Sequence, residues 1–126
     1  MSNHVHLIAA ANYKHNLSDI LRDLKKITSK KIISNINHNP HESRRKWMLW
    51  IFQSASRFNS NNTHYQFWQQ DNRPIELSSS EMLYQRVDYI HMNPVKEGLV
   101  FQPDYYRYSS AVDYAGGKGL LELEDL

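Results

Sequence analysis

Two short clusters carry residue types that can do chemistry. His4-Val5-His6 places imidazoles at i and i+2. On a strand those positions point to one face, so both rings project together. Two neutral imidazoles on one side can bind a divalent cation. The second cluster is Tyr89-Ile90-His91-Met92-Asn93-Pro94-Val95. Tyr89 and Asn93 are four apart, so on a helix they share a face. A phenol can be a nucleophile towards phosphorus, and an amide oxygen can complete a metal shell. Each cluster also has a plain structural meaning. His-x-His arises by chance on half-exposed strands, and Tyr89 and Asn93 alone suit packing at a core edge and capping before the proline. Taken together, a metal on paired histidines facing a helix with Tyr and Asn is the arrangement of a metal-assisted phosphoryl transferase.

The elements that must position these groups follow from patterning. His4 to Ala10 alternates and then runs apolar, which predicts a strand. Leu17 to about Ile33 predicts a helix, with Leu17, Ile20, Leu21, Leu24, Ile27 and Thr28 on one face. Arg22, Lys25, Lys26 and Lys30 fall on the opposite side. Asn35 to Glu42 reads as a loop, because Pro40 excludes continuation. A second helix is expected from about Ser43 to Phe52, with Trp47, Trp50 and Ile51 as its apolar stripe. Tyr65–Gln69 and Pro74–Leu77 suit short strands. A third helix should start near Ser80 and stop by Asn93, because Pro94 follows.

With these motifs in order, the chain resembles the single-tyrosine HUH transposases, most closely the REP-associated tyrosine transposases. The resemblance rests on MSNHVHLI, FWQQDNRPIEL, DYIHMNPVKEGLV and YYRYSSAVDY, and it covers nearly the whole chain. It implies an α+β fold, a ferredoxin-like antiparallel sheet packed against helices, over residues 1–115, with 116–126 a Gly-rich and acidic tail. In that family a strand and a helix precede the HUH strand, whereas here Met1 stands three residues before His4. An N-terminally truncated version is therefore expected, its HUH strand either an exposed edge or paired by a second copy in a homodimer. The resemblance further implies a hairpin-bearing single-stranded DNA substrate, Tyr89 as nucleophile and a 5′-phosphotyrosine intermediate. His4, His6 and Asn93 would hold Mg²⁺ or Mn²⁺. His91 falls off the Tyr89/Asn93 face and is expected to be structural. Two other readings compete: a hairpin-binding relic that does not cleave, and a small helical binding module with an adventitious His–metal site.

Composition bounds these readings. The chain has 126 residues, 40% hydrophobic and 22% charged, which suits one ordinary domain. It has no Cys, which excludes disulfide scaffolds, iron–sulfur clusters and thiolate zinc sites. No apolar run approaches a membrane span, and residues 1–15 do not read as a signal peptide, so a cytoplasmic protein is expected. Net charge is +2, but Tyr13 to Lys46 carries nine Lys/Arg against Asp19, Asp23 and Glu42. That asymmetry favours an anionic partner. Arg22, Lys25, Lys26 and Lys30, joined by Arg44, Arg45 and Lys46, are the candidate phosphate contacts. Trp47, Trp50, Trp68, Tyr105, Tyr106 and Tyr108 offer faces for base stacking, although Trp47 and Trp50 at helical spacing read more simply as core.

Overall fold

The computed structural model describes residues 3–59, 64–70 and 72–124. All regular structure among them is helical, in two units: residues 9–74, and residues 3–8 with 75–124.

In the first unit, α1 spans Leu17–His38 and α2 spans Arg45–Ser56. Asn16 caps α1, its side chain accepting from Ser18 N–H at 2.8 Å, and Asp19 complements the dipole. The helix outruns its expected end near Ile33. Pro40 restricts only its predecessor, so Asn39 is the first extended residue (φ −84°, ψ 107°) and the polar stretch 35–38 stays helical. After α2 the chain folds back over both helices. Gln66 N–H donates to Phe52 O, and the Phe67 ring lies 5.2 Å from those of Phe52 and Trp68. Trp68 Nε1 donates to Thr28 Oγ1 at 2.9 Å.

In the second unit, α3 spans Ser80–Lys96 and α4 spans Ala111–Tyr114, with a 3-10 turn at Pro103–Tyr105 between them. Ser79 caps α3, its side chain accepting from Met82 N–H. Pro94 does not stop the helix. The stop is Gly98, at φ +69°: Gly98 N–H bonds Val95 O and Leu99 N–H bonds Pro94 O. These are the two bonds of a Schellman cap, and they satisfy carbonyls that would otherwise end bare. Val87 and Ala111, 6% and 4% exposed, form the small apolar centre where α3 meets α4. His91 packs beside them, hydrogen-bonded to Ser110 Oγ at 2.9 Å, with its ring 5.0 Å from that of Tyr114.

The expected ferredoxin-like α+β sheet is corrected to a helical fold: no strand occurs among the described residues. His4–Ala10, Tyr65–Gln69 and Pro74–Leu77 are all irregular. A strand exists only as a ladder with a second extended segment. The polar groups of 65–69 have other partners: Gln66 N–H goes to Phe52 O, and Gln69 O accepts from Lys25 Nζ. Among the described residues no helix is long and apolar enough to cross a membrane.

Candidate tyrosine and metal site

His4 and His6 belong to the same unit as α3. Though outside any strand, their side chains converge, with Nε2 to Nε2 at 3.2 Å. Asn3 Oδ1 accepts from His4 Nδ1 at 2.7 Å, which leaves Nε2 of His4 as the lone-pair nitrogen. Two nitrogens each about 2.1 Å from one cation, at about 90–110°, are themselves about 3.0–3.4 Å apart. As it stands the 3.2 Å spacing is a hydrogen bond, His6 Nε2–H donating to His4 Nε2, and a cation would take its place at nearly the same separation once His6 carried its proton on Nδ1. Desolvation of the partly buried His6 ring, reinforced by His4, holds its pKa below the ordinary histidine value, and a neutral ring is the ligating form.

The edge of the His6 ring meets Tyr89 on α3, with centroids 5.7 Å apart at 83°. Tyr89 is 45% exposed, so its hydroxyl is open to a substrate. Asn93, one turn on, is 8% exposed, and its buried Nδ2 has no hydrogen-bond partner among the described residues. An unpartnered buried amide costs on the order of 1–3 kcal/mol. It can donate to a phosphate oxygen, or, with the amide turned over, offer Oδ1 to a cation. Among the described residues no three His, Cys, Asp or Glu cluster as metal ligands, so the imidazole pair has no third ligand of those types beside it.

His91 faces away from this site. Burial holds its pKa below the ordinary value, opposed by Asp88, and its bond to Ser110 ties α3 to the segment leading into α4.

The proposed phosphate contacts all lie in the other unit, and they are not alike. Arg22 is held by Asp19 and Asp23. Lys25 Nζ donates to Gln69 O and Asn72 Oδ1. Arg44 pairs with Glu42 at 3.2 Å, and Arg45 Nη1 reaches Asn37 O. Lys26, Lys30 and Lys46 project to solvent. Trp47 and Trp50, expected in the core, are 58% and 62% exposed; the α2 ring that meets Phe67 is Phe52, outside the expected stripe. Lys96, which the sequence did not single out, stands over the Tyr89 ring with Nζ 5.6 Å from its centroid. Its spacing of seven from Tyr89 was the available signal.

No family model, curated protein or solved structure matches this chain.

Proposed function

We propose that the protein is a metal-assisted tyrosine transferase of DNA strands, acting in the cytoplasm on single-stranded DNA with a hairpin, as a transposase does. The observation that carries this is the meeting of the His pair with Tyr89, more than eighty residues apart in sequence: imidazole nitrogens 3.2 Å apart, and the His6 ring 5.7 Å from an exposed phenol. The proposal stands on these residues and requires no sheet.

Tyr89 Oη attacks the phosphorus, forming a phosphotyrosine bond as the bond to the 3′-oxygen breaks. The phenol's proton is given up to solvent, and the departing 3′-oxygen takes one. A phenol is a better leaving group than an alkyl alcohol, so the same bond can be reopened by a 3′-hydroxyl, and the phosphodiester energy is conserved. His4, His6 and Asn93 would hold Mg²⁺ or Mn²⁺, which supplies charge stabilisation at the phosphate; imidazole ligands favour Mn²⁺. His6 also fixes the Tyr89 ring by its edge contact, narrowing the directions from which Oη can approach.

The test is a denaturing gel of the protein with a labelled hairpin-bearing single strand and Mn²⁺. A covalent adduct that survives denaturation and is lost in Tyr89→Phe supports the assignment. A normal adduct from the Phe variant removes Tyr89 from it. A second reading, hairpin binding without cleavage, needs only exposed cations such as Lys26, Lys30 and Lys46. It predicts a native complex and no adduct on the same gel.

A further inference from the structure

The exposed face of Tyr89 has a second neighbour besides His6. Lys96 Nζ lies 5.6 Å from the ring centroid, inside the range of about 6 Å in which an ammonium is drawn to an aromatic face. Lys96 follows Tyr89 by seven residues, two helical turns less about 20°, so both fall on one stripe of α3. Helical Cα–Cβ bonds tilt towards the N-terminus, which leans the lysine stem back along the helix towards the phenol. Both residues are exposed, and among the described residues no carboxylate lies within ion-pair distance of Lys96. The phenol is therefore flanked by a neutral imidazole on one side and a cation without a carboxylate partner on the other.

We propose that Lys96 is a further catalytic residue of the strand transfer, its ammonium contacting a non-bridging oxygen of the phosphate that Tyr89 attacks. The proposal rests on the assignment of Tyr89 as nucleophile. An attacking Oη must come within about 3–3.5 Å of phosphorus, which puts the phosphate oxygens in the sweep of an exposed lysine already resting on the same ring. In the step, the Oη–P bond forms and the P–O3′ bond breaks. Negative charge shifts over the non-bridging oxygens, and Lys96 offsets it while keeping its own proton. The same cation then lies beside the phosphotyrosine and serves the reverse attack. As the last residue of α3, Lys96 also suits the helix dipole, so the test must separate catalysis from that structural contribution.

Single-turnover adduct formation is measured with the full chain, saturating hairpin-bearing single strand and Mn²⁺. Lys96→Gln should slow it by about 100–1000-fold, in the range for loss of one donor to a developing oxyanion, with binding affinity and thermal unfolding nearly unchanged. Lys96→Arg should recover most of the rate. The decisive arm replaces the scissile phosphate with a neutral methylphosphonate. With no phosphate charge to pair, wild type and Lys96→Gln should then react alike. An unchanged rate for Lys96→Gln on ordinary DNA overturns the proposal. So does an equal penalty on the methylphosphonate, which would make Lys96 a structural residue. Failure of wild type to form any adduct sinks the Tyr89 assignment and Lys96 with it. A normal wild-type adduct with an indifferent Lys96 sinks only the lysine.

Discussion

The two units use their polar residues in opposite ways. In residues 9–74, four of the seven candidate cations are engaged within the protein: Arg22 with Asp19 and Asp23, Lys25 with Gln69 O and Asn72, Arg44 with Glu42, and Arg45 with Asn37 O. In residues 3–8 and 75–124, groups are left available: among the described residues Asn93 Nδ2 is buried without a partner, Tyr89 is exposed, and Lys96 rests on a ring with no carboxylate at ion-pair distance. A group held by internal partners maintains a fold, whereas a polar group kept without one costs stability and marks a place for a ligand. Under the proposed function, chemistry falls to α3 and general phosphate attraction to the exposed cations Lys26, Lys30 and Lys46.

The sharpest way to break this comparison is Tyr89→Phe. It should abolish the covalent adduct on a denaturing gel while a native gel shows DNA bound as before, because only the hydroxyl is lost. Next in size, His4→Ala with His6→Ala should remove divalent-metal-dependent cleavage, by roughly a hundredfold or more, and a chelator should do the same to wild type. Cleavage that persists in chelator would end the metal assignment.

A third experiment addresses the structural half of α3. His91→Ala removes a buried ring and its bond to Ser110, and should lower the unfolding free energy by about 1–3 kcal/mol. The pH dependence has a definite sign. Because burial depresses the folded-state pKa of His91, the unfolded chain binds the proton more readily. Its contribution is present above the ordinary histidine pKa of about 6.5 and is lost as pH falls through the depressed value. Thermal unfolding in chelator should weaken on acidification in wild type, and less so in His91→Ala.

The smallest effects should come from the basic face, and they divide along the same line. Lys26, Lys30 and Lys46 changed to Gln should weaken DNA binding without altering sequence choice. The slope of log affinity against log salt should flatten by roughly 0.7 per lost contact on single strands. Lys25→Gln should instead loosen the 69–72 segment it anchors, seen as faster hydrogen exchange there, with the salt slope barely moved. Equal salt slopes for Lys25 and Lys26 variants would erase the distinction.

Much of the helical content was legible. The apolar period of 17–33, the Ser/Glu start of α3 and the Pro/Gly punctuation are local signals, set by neighbours within a turn. The errors were also local signals, misjudged where a competing one prevailed. Pro94 was read as the stop of α3, but the Gly98 cap a few residues on gave the carbonyls better partners. The strand at 4–10 was read from alternation, and 65–69 and 74–77 as short strands beside it, yet local pattern supplies no partner strand, and α1 and α2 captured the polar groups of 65–69. Trp47 and Trp50 were assigned to a core on spacing alone, and spacing says which side chains share a face, not whether anything covers it.

By itself, the sequence determined which residues share a face: Tyr89 and Asn93 on α3, and Arg22, Lys26 and Lys30 away from the apolar stripe of α1. Helical periodicity fixes those relations whatever else the chain does. Only the tertiary structure decided that His6 meets Tyr89, that His91 is buried against Ser110, and that Lys25 is engaged where Lys26 is free. Those are contacts between segments distant along the chain. They depend on which groups find partners when the chain closes on itself, and no local spacing encodes that outcome.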